Sequence, residues 1–232
     1  VLQGGADNRQ FSFGFTEPRL MGRDLSFGFD ASYLLTDNQD ANFDTTEATF
    51  RPRIGFPVSE NGRVSLYYAY DYVDIRDIDP TGVGTSAGIS QLIADDEGSV
   101  GTSSLGYSYS FDTRRTGLNP NAGVLFQFGQ EFGFGESTYI ETTALITGQA
   151  RVLNEEMTLR ATLEGGLIDY TKGESRVTDR YFLGSRIMRG FEPSGIGPRD
   201  ATTGDALGGN AYAAARLEAE FPLGLPEEYG LS

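Results

Sequence analysis

Residues 25–35 read Leu-Ser-Phe-Gly-Phe-Asp-Ala-Ser-Tyr-Leu-Leu. Leu25, Phe27, Phe29, Ala31, Tyr33 and Leu35 share one register, while Ser26, Gly28, Asp30 and Ser32 occupy the other. Successive side chains of an extended chain point to opposite faces, so this stretch predicts a strand with one apolar and one polar side. The same period of two recurs at residues 11–15, 48–56, 64–72, 105–111, 124–132, 140–152, 159–167 and 211–221, which predicts nine strands. Most are longer than the five or six residues usual in soluble sheets. They match the roughly 9–11 residues that a tilted strand needs to cross a bilayer.

Charge separates the two faces. Within these segments no Asp, Glu, Lys or Arg falls on the apolar register. The alternate register and its immediate extensions carry Asp24, Asp30, Glu47, Arg51, Arg53, Arg63, Asp71, Glu131, Glu141, Arg151, Arg160, Glu164, Arg216, Glu218 and Glu220. A cation facing lipid at mid-membrane costs about 2–4 kcal/mol, which accounts for the purge. Both signs on the other face predict a wet, ion-paired lumen. A soluble β-sandwich also alternates apolar and polar residues. Strand length, and a polar face rich in Gly, Ser and charge throughout, favour the transmembrane antiparallel β-barrel. Pro52 lies mid-strand, where it forfeits a ladder hydrogen bond and predicts a bulge or local break.

Composition narrows the function classes. The 18 Lys+Arg against 33 Asp+Glu give a net charge of −15, the reverse of a nucleic-acid footprint. With no Cys and no His, disulfides, Cys/His zinc sites and a Ser-His catalytic pair are excluded. Charge-free runs such as residues 116–130 are too short and too polar for a spanning helix. The first residues, Val1-Leu2-Gln3-Gly4-Gly5, show no signal-peptide pattern, so the chain is expected to begin within an architecture. No metal or cofactor site is expected. The acidic triplet Asp95-Asp96-Glu97 lacks calcium-loop spacing and is read as a solvated loop tip.

The connections alternate in length, as in outer-membrane barrels with short periplasmic turns and longer outer loops. Residues 17–23, 57–62, 112–122 and 153–156 are the compact ones; residues 36–46, 73–99, 133–138 and 170–209 are the outer ones, three of them long. The last is too long for a mere connector. Its Tyr181, Phe182, Leu183, Ile187, Met188, Phe191 and Ile196 are an improbable set to leave in water, so the loop is expected to fold inward. That carries Arg189 into a confined space, where a guanidinium requires a carboxylate. Glu218 and Glu220, on the lumen register of the next strand, are the candidates.

Phe182-Leu-Gly184, Met188-Arg-Gly-Phe191, Gly197-Pro-Arg-Asp200 and Gly208-Gly-Asn210 follow one another in order along this loop. Phe111-Asp-Thr-Arg114 with Asn119-Pro120, and Phe15-Thr-Glu-Pro18 with Gly22, fall at two of the compact connections. In these features the chain resembles the BamA family of outer-membrane β-barrel assembly factors. Met188 stands where the family usually has Val or Ile. The resemblance implies a sixteen-stranded barrel whose sixth outer loop joins strands eleven and twelve. Residues 1–232 then form a partial barrel, strands four to twelve, with residues 1–9 closing strand three and its loop, and no POTRA domain. It further implies that Arg189, Gly190 and Phe191 lie inside the barrel and that Glu218 is the acidic partner of Arg189. The implied activity is folding and inserting β-barrel proteins into the Gram-negative outer membrane, without covalent catalysis. The implied partners are outer-membrane lipid, unfolded outer-membrane protein clients and accessory lipoproteins. A passive porin-type channel and a related translocation barrel are the alternatives.

Overall fold

A computed structural model describes residues 2–4, 8–38, 43–78, 90–114, 122–153 and 157–221. The strands are β1 (Leu2–Gly4), β2 (Asn8–Glu17), β3 (Ser26–Asn38), β4 (Phe43–Pro57), β5 (Gly62–Arg76), β6 (Gly98–Asp112), β7 (Gly123–Gly135), β8 (Thr138–Val152), β9 (Met157–Lys172) and β10 (Ala211–Glu220). They form one ten-stranded sheet in strict chain order, every neighbouring pair antiparallel. All nine expected strands are present, and β1 adds a three-residue tenth where the end of a preceding strand was expected.

Solvent accessibility follows the two registers and decides which face meets lipid. The exposed large apolar residues of the strands, among them Phe13 (62%), Leu105 (54%), Leu163 (56%) and Leu217 (77%), all lie on the uncharged register. Ala69, Ile75, Ser104, Glu131, Thr147, Gln149, Ile168 and Ala214 are buried and lie on the charged register, while Thr46, buried near the outer end of β4, lies on the other. A soluble sandwich would bury the opposite set. The sheet is therefore packed on its polar side and bare on its apolar side, the arrangement of a barrel wall in a bilayer.

The strands outrun their expected ends on the outer side. Pairing of β3 with β4 continues to Asn38↔Phe43, so the first outer connection is only residues 39–42. The third is the two residues between β7 and β8, which leaves two long outer segments, 77–97 and 173–210. Residues 39–42, 79–89 and 154–156, and the Asn119-Pro120 part of the third periplasmic turn, lie outside the described residues.

Pro52 produces no bulge. The β4–β5 ladder omits Arg51 and Pro52 but holds one register on either side, from Phe50↔Tyr70 to Arg53↔Tyr67. On the other side Pro52 still faces Phe29 of β3. The missing N–H thus costs one local gap in the ladder rather than a shift of register. A register shift occurs instead in the β8–β9 pair, between Thr138 and Tyr139.

On the inner face, three tyrosines lie across glycines of the neighbouring strand: Tyr67 over Gly106, Tyr139 over Gly133 and Tyr212 over Gly166. A Cβ at any of these glycines would overlap the ring, so the backbone itself is the floor on which the aromatic packs. Where the outer segments meet, helix α1 (Gln91–Ala94) contributes Ile93 to a small apolar cluster with Ile75 and Val177, flanked by Val73, Ile78 and Leu207.

Candidate functional site

The inner wall carries polar clusters of both signs. Glu131 on β7 accepts hydrogen bonds from the hydroxyls of Tyr67 (2.9 Å) and Tyr139 (3.0 Å). The Arg51 guanidinium lies 3.8 Å from Glu131, 4.0 Å from Asp71 and 5.1 Å from the centre of the Tyr67 ring. Thr49 donates to Asp71 at 2.7 Å, and Arg53 pairs with Asp30. The expectation of an ion-paired lumen of both signs is met.

The segment between β9 and β10 lies against this wall and is densely bonded within itself. Tyr181 and Gly209 exchange backbone hydrogen bonds of 2.9 and 3.0 Å, which tie the two arms of the loop together. Leu183 bridges to Ile196, and Met188 N–H donates to the Gly184 carbonyl at 2.9 Å. Asp200 accepts from the backbone N–H groups of Thr202 and Thr203, at 2.8 and 3.0 Å, forming a tight turn. Hydrogen bonds that carry the loop to the strands include Tyr181 hydroxyl to Glu141 at 2.6 Å, Arg216 to the Ile187 carbonyl at 3.2 Å, Tyr170 hydroxyl of β9 to Asp179 at 2.8 Å and Ile168 N–H of β9 to the Asn210 carbonyl at 2.8 Å.

A second set of contacts joins the loop to the outer segment that bears α1. Arg176 donates to the carbonyls of Asp96 and Gly98, and Val177 N–H donates to the Asp96 carboxylate at 2.6 Å. Ser90 donates through its backbone to Asp205 and through its hydroxyl to Asp200. Asp96 is therefore half-buried at a junction, not a solvated tip, whereas Asp95 and Glu97 are exposed. Burial pushes the Asp96 carboxyl up, against the pull of Val177 N–H and the Arg176 and Arg180 guanidinium groups. The Thr203 and Thr202 N–H groups and the Ser90 hydroxyl hold the Asp200 carboxyl below the usual carboxylate range.

Arg189 and Glu218 line one cavity of about 1250 Å³, between loop residues 185–189 and the inner faces of β7 to β10. Gly190 and Phe191 are exposed and lie outside its lining; Gly190 adopts φ +91°. The cavity thus brings together the two residues that the resemblance pairs, but the ion pair itself is not formed. Glu218 is engaged by Arg160, its cross-strand neighbour, at 3.3 Å, and Glu164 by Arg216 at 2.8 Å. Among the described residues Arg189 has no carboxylate within ion-pair distance. A partner already on the rigid wall engages Glu218 without ordering the loop tip. Among the same residues no group of acidic side chains has the arrangement to hold a metal ion.

Residues 1–231 match the family model of the Omp85 superfamily domain. The chain belongs to the Omp85 superfamily. Within it, the chain is 27% identical over 213 residues to the outer membrane protein assembly factor BamA of Nitratidesulfovibrio vulgaris, covering 90% of this chain and 26% of that protein. It is 26% identical over 238 residues to BamA of Neorickettsia risticii, covering 99% of this chain and 30% of the relative. A SAM50-like protein of Schizosaccharomyces pombe is 35% identical over 130 residues, covering 52% of this chain and 26% of that protein. The crystal structure of BamA from Haemophilus ducreyi lacking POTRA domains 1–3 superposes with a TM-score of 0.77 at 17% identity. That match covers 96% of this chain and 47% of the solved one, and shows the barrel fold. The Omp85 segment described here therefore spans less than a third of the length of both BamA relatives.

Proposed function

We propose that this chain is the wall and inward loop of an outer-membrane assembly factor. The whole protein folds and inserts β-barrel proteins into the Gram-negative outer membrane. One observation carries the reading furthest: the loop that bears Met188-Arg-Gly-Phe191 is ordered and bonded to the charged face of a lipid-exposed sheet. The superfamily membership and the two BamA relatives support it. Clients are unfolded outer-membrane proteins, and accessory lipoproteins and outer-membrane lipid complete the partners. The work is non-covalent. A barrel offers backbone partners to strands that lipid cannot satisfy, so an inserted client edge gains its hydrogen bonds inside the membrane. Arg189, Gly190 and Phe191 serve at the loop tip, where Arg189 shares a cavity with Glu218 of the wall.

A passive porin is not favoured, since relatives over most of this chain are named assembly factors. The test is reconstitution of the full-length protein in liposomes with an unfolded outer-membrane barrel protein as client. Faster appearance of the folded, protease-resistant client supports the reading. Ion conductance with no acceleration of client folding overturns it, and export of a passenger would favour a translocation barrel.

A further inference from the structure

Arg189 is the residue that the sequence marks, yet the loop touches the wall elsewhere. The geometry points to Tyr181 as the positioning residue that anchors the long loop to the barrel interior, through the bond from its hydroxyl to the Glu141 carboxylate.

Four features converge on this residue. The O–H···O bond is 2.6 Å long, in the range of charge-assisted hydrogen bonds, about twice as strong as neutral ones. The ring meets Tyr212 of β10 edge-on, with centroids 4.7 Å apart. Both rings press on Gly166 of β9, where a Cβ would lie 2.7 Å from ring atoms of each. Finally, the backbone of Tyr181 is bridged both ways to Gly209, immediately before β10 begins. One residue thus contacts β8 through its hydroxyl, β9 and β10 through its ring, and the far arm of its own loop through its main chain.

The chemistry suits a fixed anchor. Burial and the bond to Glu141 push the Tyr181 phenol well above its usual value, so the proton stays on the hydroxyl and the donor persists at every physiological pH. Of the other bonds to the strands, that from Arg216 to the Ile187 carbonyl ends on a backbone acceptor that any residue would supply, and Arg216 is already engaged by Glu164. Tyr170 to Asp179 ties the loop to the strand it has just left, and Ile168 N–H to Asn210 holds it where β10 is about to begin. Tyr181 alone of these residues reaches across to β8 and β10 as well. Ile187 lies six positions beyond Tyr181 and Arg189 eight, so where the root is held sets where the tip can reach.

This inference deepens the assembly reading and rests on it for function, so the experiment separates the two. In the full-length protein in liposomes, with any cysteine outside residues 1–232 replaced by serine, a nitroxide at Arg186→Cys reports loop mobility; residues 1–232 contain no cysteine. Tyr181→Phe keeps the ring and removes only the donor, Glu141→Ala removes the acceptor, and Glu141→Gln keeps a carbonyl oxygen to accept. Tyr181→Phe and Glu141→Ala are each expected to raise the mobile population about tenfold, the scale of one hydrogen bond to a charged group. Glu141→Gln should fall between wild type and Glu141→Ala, because it keeps the acceptor and loses the charge, and the Tyr181→Phe, Glu141→Ala double variant should be no worse than either single one. An unaltered spectrum for Tyr181→Phe, or additive effects in the double variant, overturns the anchor. A mobilised label with wild-type client insertion leaves the anchor standing and overturns the role of the loop in assembly. Protease resistance of each variant barrel confirms that the comparison is made between folded proteins.

Discussion

The root and the tip of the loop between β9 and β10 lie against one wall and are held in opposite ways. At the root, Tyr181 combines a carboxylate bond, an edge-on aromatic contact and a two-way backbone bridge. At the tip, Met188 to Phe191 is exposed, and Arg189 shares a cavity with Glu218 without touching it. Motif residues are thus not the ones that hold the loop in place. Order is built at the root, and the tip is left available for the groups that its function brings.

That contrast can be broken at either end, and the largest effect is expected at the root. Gly166→Val places two methyl groups where the Tyr181 and Tyr212 rings sit. Overpacking of this kind costs about 1–3 kcal/mol, which should lower the urea midpoint of the folded barrel and expose the loop to protease. Arg176→Ala comes next. It frees the carbonyls of Asp96 and Gly98 and should cost about 1–2 kcal/mol, seen as faster amide exchange at Val177.

At the tip the same kind of change does less. A Cβ at Gly190 meets open space, and only its φ of +91° opposes a side chain. Gly190→Ala should therefore cost about 1 kcal/mol, read from the same urea midpoint. Arg189→Ala should leave stability within about 0.5 kcal/mol while slowing client insertion. The exchange Arg189→Glu with Glu218→Arg should partly restore insertion relative to either change alone; wild-type insertion in Arg189→Ala would make the tip dispensable.

The smallest effect is that of pH on the outer junction. The Asp200 carboxyl is held low by N–H donors in the folded loop. Its contribution is complete above the ordinary carboxylate value of about 3.9 and fades as pH falls through the lower folded value. Amide protection at Thr202 and Thr203 should be flat from about pH 8 to 5 and decline only below about pH 4.

Much of this fold was legible because lipid is an unforgiving solvent. It strips charge from one register, and that signature survives in a single sequence as a period of two. Strand ends were less legible, since outside the hydrocarbon nothing enforces the alternation; β3 and β4 run on to Asn38 and Phe43 through polar residues. The pairing of Glu218 was not legible at all. Its neighbour is Arg160 of β9, and the 38 residues between β9 and β10 leave their register undefined by any turn. Tyr181 was counted with the apolar residues that need cover. Its hydroxyl partner Glu141 was placed correctly on the lumen register, but only the folded loop brings the two together. Asp96 was misread for a related reason, because its partners lie about eighty residues further along the chain.

The tyrosines that lie on glycines bear on how the wall could slide. Tyr67 on Gly106, Tyr139 on Gly133 and Tyr212 on Gly166 occur at every second interface: β5–β6, β7–β8 and β9–β10. Each works as a tenon in a mortise. A slip of one residue would swing the ring toward the acyl chains and present a new side chain to the empty notch. Three such joints fix the stagger of this half-cylinder, and with it the tilt of its strands, before any closing partner is in place.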